Sequence, residues 1–250
     1  MADSPPLISI ADLSKVYDTF LAVDRLTFEV HAGQVLGLVG PNGAGKTTTL
    51  RCITGLIPPT NGKVSLAGFS LATQAIQAKQ RLAFFPDEPR LFEHLTVWQH
   101  LNFIARLYQV PDFEPRATAL LSDLALSDQR ESLPRQLSRG MKQKLVLACG
   151  LLHRPTCVVF DEPLTGLDPG GIRSMKVVIR QLAAEGAAIV LSSHLLSLLE
   201  EVCSHVLILK GGRKIAYGTL DEVRTQFSAA EGASLEDVFF QATGGETAKP

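Results

Sequence analysis

One octapeptide narrows the choice of fold more than anything else in the chain: Gly40-Pro41-Asn42-Gly43-Ala44-Gly45-Lys46-Thr47, set directly after the apolar run 34–39. Gly-x4-Gly-Lys-Thr at the exit of a strand and the entrance of a helix is the pattern of a phosphate loop. Its backbone amides surround phosphate oxygens, Lys46 reaches the outer phosphates, and the Thr47 hydroxyl is placed to ligate magnesium, with Thr48 beside it. Such a loop needs a buried parallel strand before it and a helix after it.

The rest of the chain supplies those parts. Residues 7–10 and 26–30 read as short strands and 34–39 as a central one; from Lys46 to position 57 the apolar positions Leu50, Ile53, Leu56 and Ile57 recur at helical spacing. Pro58-Pro59 and the turn pair Asn61-Gly62 would stop that helix. Between 93 and 152 the period is helical and strands are absent. Leu95, Trp98, Leu101, Ile104, Ala105 and Tyr108 form one stripe, Ala117, Leu120, Leu121 and Leu124 a second, and a third helix runs from Met141 through Leu145 and Ala148 to Leu152. Strands return at 157–160, 187–192 and 206–210, separated by helical 172–184 and 195–202. This alternation predicts a mostly parallel α/β sheet covered on both faces, with the helical block as an insertion and the end, 244–250, frayed.

Bulk composition excludes several classes. Lys plus Arg number 24 and Asp plus Glu 25, a formal net charge of -1 that gives no global attraction for nucleic acid, so no nucleic-acid partner is expected. The four cysteines, Cys52, Cys149, Cys157 and Cys203, are widely spaced and read as reduced, buried thiols. No apolar run is long enough to span a bilayer, so the chain is expected to be soluble and cytosolic. Hydrophobic residues still make up 46%, which suits a large buried sheet, an apolar docking face, or both.

Three further places carry chemistry. The strand 157–160 ends in Asp161-Glu162, at the sheet edge that also holds the phosphate loop. Asp161 is placed to hold magnesium, directly or through water, and Glu162 to polarise the water that attacks a γ-phosphate. His194 follows strand 187–192 at the same edge and can donate a hydrogen bond there, whereas His31, His94, His100, His153 and His205 read as surface or satisfied core residues. Ser138-Arg139-Gly140 begins a helix, with Ser138 as N-cap and Gly140 permitting close approach, and so offers a second anion-receiving terminus. It lies in the inserted helical block. Two copies facing head to tail would set each such terminus against the γ-phosphate held by the other.

Together these motifs resemble the nucleotide-binding subunit of an ATP-binding cassette (ABC) transporter, over nearly the whole chain. The resemblance implies a P-loop NTPase (RecA-like) parallel-sheet core with an N-terminal antiparallel β subdomain and an inserted α-helical subdomain. It places the nucleotide-binding domain at 1–225, the helical insertion at about 90–154, and a helical tail at 226–250. Positions 137–141, Leu-Ser-Arg-Gly-Met, correspond to the family signature, usually LSGGQ; Leu164-Thr165-Gly166-Leu167-Asp168 to the dimer-contacting D-loop; His194 to the switch histidine; and Tyr17 to the aromatic that stacks on adenine. The Q-loop glutamine aligns with Asp87, a carboxylate that could still hold metal.

The resemblance further implies ATP and Mg2+ as cofactors, ATP hydrolysis, a dimer with itself or a related ATP-binding subunit, and integral membrane permease subunits as partners. The chain would sit on the cytoplasmic side of the cell membrane, peripheral through the permease. The signature, Asp87 and the late segment 234–240 resemble the branch serving drug, antibiotic and polysaccharide exporters. Region 87–95, with Leu91, Phe92 and Leu95, corresponds to the surface that meets the permease, although a core role suits those side chains equally. The alternative is a soluble ABC ATPase acting on ribosomes or DNA, which usually fuses two cassettes or carries long coiled coils. A small-molecule kinase would leave the signature and D-loop unexplained.

Overall fold

Alternating buried and exposed side chains bring β1 (Ile8–Tyr17) and β2 (Phe20–Val30) into an antiparallel pair in the computed structural model, which describes residues 4–88, 90–165, 167–227 and 234–244. Both strands outrun the expected 7–10 and 26–30. Left-handed residues at Asp12 (φ 49°) and Arg25 (φ 46°) accompany shifts of register, so the strands bulge where the apolar pattern lapses.

All five residues of β3 (Val35–Val39) are buried. It leads through the glycine-rich loop into α1 (Lys46–Ile53), which stops four residues earlier than the apolar spacing implies. Thr54 closes the helix and Gly55 takes φ 65°, a conformation that glycine adopts without strain, so neither proline is the stop signal. Asn61-Gly62 is likewise no turn. It opens β4 (Asn61–Leu66), where Gly62 holds φ 95° and a Cβ would fall 2.4 Å from the Asp12 carbonyl oxygen. The glycine therefore lets β4 cross the bulge of β1. With β5 (Phe69–Ser70) these strands form a sheet ordered β2-β1-β4-β5. The short α2 (Ala75–Gln80) then leads to β6 (Leu82–Phe85).

The helical block comprises α3 (Val97–Leu107), α4 (Phe113–Asp123) and α5 (Arg139–Leu151), with no strand among its described residues. A capping box between Thr96 and Gln99 starts α3 after Leu95, and Tyr108 closes it. Leu101, Ala117, Leu121, Leu145 and Ala148 form a core of their own. The other side of α5, with Leu147 and Leu151, packs into the core beneath the parallel sheet.

There follow β7 (Cys157–Asp161), α6 (Pro169–Ala184), β8 (Ala188–Ser192), α7 (Leu196–Val202), β9 (His205–Lys210), β10 (Arg213–Thr219), α8 (Leu220–Gln226) and α9 (Leu235–Thr243). The six-stranded sheet runs β10-β9-β3-β8-β7-β6 and is parallel except for β10. Central β3 and its apolar neighbours bury both faces: Leu36, Leu38 and Val190 pack toward the antiparallel sheet, Val35, Ile189 and Phe160 toward the helices. Strand β10 escapes sequence reading because RKIAYGT alternates weakly. Its pairing is imposed by the Gly211-Gly212 reversal, both at positive φ.

All four cysteines are free thiols, Cys149 partly exposed and the rest buried, and burial pushes Cys149 up to about 12, so it carries no thiolate. Among the described residues no helix is long and apolar enough to cross a membrane. Pro89 in the Q-loop stretch, Gly166 in the D-loop, and the tail 245–250 lie outside the described residues.

Candidate nucleotide site

The phosphate loop is clamped from two sides. A Cβ on Gly45 (φ 100°) would lie 2.6 Å from the Ala22 carbonyl oxygen of β2, and one on Gly40 would lie 2.6 Å from the Leu209 carbonyl oxygen of β9. Between them Pro41, Asn42, Gly43 (φ 78°) and Ala44 make the bend, and the Ala44 amide donates to the Pro41 carbonyl at 3.1 Å. The Lys46 ammonium crosses the loop mouth, donating to the carbonyls of Gly40 (2.6 Å) and Pro41 (3.3 Å). Burial lowers its pKa and the carboxylates of Glu162 and Asp161 act against that, so a partly dehydrated cation faces two anions across the cavity. Thr47 and Thr48 open the first turn of α1.

Parallel pairing sets the acidic side of the site. Asp161, the last residue of β7, stands opposite Ser192, the last of β8. The buried Ser192 hydroxyl donates to Asp161 Oδ1 (2.7 Å) and accepts from the Glu162 amide (3.0 Å), which fixes both residues. Glu162 has φ 51°, a left-handed turn that swings its side chain away from the strand direction. Its Oε2 meets His194 Nδ1 at 2.9 Å and accepts from the His194 amide (3.3 Å) and the Thr165 hydroxyl (3.3 Å). Burial raises the Asp161 pKa, Ser192 works against this, and the nearby charges of Glu162 and Asp87 raise it further. Thr47, Arg51, Asp87, Asp161 and Glu162 line one cleft.

Motif spacing does not identify Ser192 or Arg51 as site residues, and it places Thr165 in the D-loop without its bond to Glu162. Ser192 had the clearest signal, since it ends a strand adjacent to the acidic one in a parallel sheet. Tyr17 ends β1, 40% exposed, with Lys15 Nζ 5.1 Å from its ring centroid; its hairpin partner β2 carries the Ala22 that touches Gly45. Asp168 serves its own fold, accepting from the Gly171 amide (2.8 Å) as N-cap of α6.

Ser138, Arg139 and Gly140 are not brought to the loop. Ser138 caps α5 by accepting from the Met141 amide at 3.2 Å, and among the described residues no hydrogen bond or ion pair joins 138–140 to 40–48. Instead α5 reaches the D-loop side, where the Gln143 side-chain amide donates to the Pro163 carbonyl at 3.5 Å.

Residues 23–165, more than half the chain and spanning the loop and both acidic residues, match the family model described as ABC transporter. The chain belongs to this family. It is 34% identical over 239 residues to the ABC-type transporter ATP-binding protein EcsA of Bacillus subtilis, covering 95% of this chain and 96% of that protein. It is 36% identical over 219 residues to the Nod factor export ATP-binding protein I of Cupriavidus pinatubonensis, covering 86% and 67%. A solved ATP-binding subunit of an ABC transporter superposes with a TM-score of 0.90 at 37% identity, over 94% of this chain and 99% of that one. This ABC subunit is thus an ATP-binding ATPase.

Proposed function

We propose that this ABC subunit pairs head to tail with a copy of itself or a related ATP-binding subunit, closing over ATP and Mg2+, and energises a separate membrane permease in the direction of export. Gly140 carries the reading. A Cβ there would meet nothing of this chain within 4 Å, so the fold itself does not require glycine, whereas a phosphate approaching a helix N-terminus from another subunit would. The exposed start of α5, already capped by Ser138, then receives the γ-phosphate held on the partner's loop. In this reading residues 1–225 are the nucleotide-binding domain, with the helical insertion at about 90–154.

The donors present suit Mg2+. Thr47, Asp161 and Asp87 offer a hydroxyl and carboxylates, the oxygen ligands that a hard cation takes. Among the described residues no cluster of three His, Cys, Asp or Glu is arranged to cage a metal, which suits an ion shared with nucleotide phosphates. When bound, Mg2+ would neutralise charge on the β- and γ-phosphate oxygens. Lys46 and the loop amides hold the phosphates, Glu162 polarises the attacking water, and His194, now on Glu162, turns its ring toward the γ-phosphate. Tyr17 stacks on adenine. Arg139 and Asp168 lie at the subunit boundary.

A permease is supported by the exposed pair Phe92 and Phe103, whose rings meet edge to face at 5.2 Å beside the Asp87 loop. Leu91, by contrast, packs against the helical core. Export follows the relatives named for Nod factor export. Binding to such a permease would place the chain on the cytoplasmic side of the membrane. The test is Glu162→Gln. It should bind ATP, accumulate as a dimer by light scattering, and turn over at least a hundredfold more slowly. Near-normal turnover would remove Glu162 as the base, and a monomer at saturating ATP and Mg2+ would remove the shared site. Co-purification of a polytopic membrane protein tests the permease.

A further inference from the structure

A second cleft lies at the opposite edge of the parallel sheet, where β6 and β7 begin. Arg81, Arg116, Arg154 and Tyr108 stand around it. Arg116 is half-buried: its Nε donates to the Leu152 carbonyl (2.8 Å) and its Nη2 to the Leu151 carbonyl (2.7 Å), at the end of α5. The remaining N–H groups of the guanidinium are not used by those bonds. Burial lowers the Arg116 pKa, the positive charge of Arg154 adds to this, and Glu185 acts in the opposite sense. Among the described residues Arg81 and Arg154 form no ion pair, and the Tyr108 hydroxyl no hydrogen bond, while its ring stacks on His153 with centroids 3.9 Å apart. Among the described residues, Asp112 is the one carboxylate on the cleft wall.

Three guanidinium groups converging on a recess with one carboxylate make a local excess of positive charge that burial of Arg116 sharpens. Guanidinium forks match the oxygens of a tetrahedral dianion, and the apolar wall at Val110 and Phe113 leaves room for a carbon skeleton. We propose that this cleft is a binding site for a small phosphomonoester, separate from the nucleotide site. Its position ties it to that site. The Arg81 carbonyl accepts from the amides of Thr156 (3.0 Å) and Cys157 (2.9 Å), and His153 Nε2 donates to the Leu82 carbonyl (3.1 Å). The two strands that leave this cleft end on the far side, β6 at Phe85, two residues before Asp87, and β7 at Asp161, next to Glu162.

The proposal depends on the cleft alone and survives or fails apart from the dimer. The full chain, saturated with ADP and Mg2+ to fill the phosphate loop, is titrated calorimetrically with glycerol 3-phosphate, with glycerol at matched ionic strength as control. One saturable site per chain is expected in the millimolar range or below. Arg81→Ala and Arg154→Ala, exposed side chains that bond nothing in the fold, should each weaken it about tenfold or more with unchanged melting temperature. Three results would overturn the proposal. These are heat no greater than with glycerol, an affinity in both variants equal to the parent's, or binding seen only when ADP is absent.

Discussion

Replacing Gly150 by alanine tests how the helical block is fastened to the catalytic sheet. Gly150 lies in α5, and a Cβ there would fall 2.4 Å from Cε1 and 2.5 Å from Cζ of Phe85, the last residue of β6. Carbon atoms not bonded to one another rest near 3.5–4 Å, so something must retreat by about 1 Å. The Phe85 ring has nowhere to go, because it is buried and stacked on the fully buried Phe160 ring with centroids 4.7 Å apart. Overpacking with a clash this close against a buried ring falls at the upper end of the usual range, about 2–3 kcal/mol, while alanine in a helix interior regains about 1 kcal/mol over glycine. The net expectation is a loss of about 1–2 kcal/mol, or roughly 2–8 °C in melting temperature for a chain of this size. Thermal melting and urea titration of Gly150→Ala, Phe85→Leu and the double variant form the assay. Leucine at 85 should relieve the clash, giving a coupling of about 1 kcal/mol in the cycle. A Gly150→Ala chain as stable as the parent, or no coupling with Phe85→Leu, would refute the packing argument.

Two other outcomes follow from the geometry. Ser138→Arg removes an N-cap, costing about 1 kcal/mol, and should leave ATP binding to the isolated chain intact while abolishing the ATP-dependent dimer and turnover; unchanged turnover would sink the shared site. His153 titrates at about 4 in the fold against 6.5 unperturbed, chiefly through burial, with Arg116 adding to the shift. The unfolded chain therefore binds the proton first as pH falls, so the contribution is complete above about pH 6.5 and is lost toward pH 4. That amounts to about 1–3 kcal/mol once the ring's partial exposure is allowed for. His153→Gln should flatten that part of the melting-temperature profile, and an unaltered profile would show that another group titrates.

What the sequence disclosed and what it hid divide along physical lines. The phosphate loop, the acidic end of β7 and the central place of β3 are legible because each is written in contiguous residues with a fixed period. Asn61-Gly62 misleads because glycine marks a positive φ without saying what needs it, and here the need comes from Asp12, fifty residues away in the chain. The end of α1 misleads for the same reason, since Leu56 and Ile57 keep the helical spacing after Gly55 has turned the backbone. Ser192 and Thr165 gain their places beside Glu162 only through strand pairing and loop closure. The arginine cleft is assembled from the end of α2, the α3–α4 connection with the start of α4, and the turn after α5, segments that no motif joins.

The cap at Ser138 carries a consequence of its own. Holding the Met141 amide engages only a lone pair of the hydroxyl, so its proton remains available to be given away. One atom can thus secure its own helix and greet a neighbour's anion at the same moment, the two bonds using opposite polarity. In the proposed pair, taking up and releasing a phosphate would leave α5 wound as before, because the bond that caps the helix is not the one given to the anion.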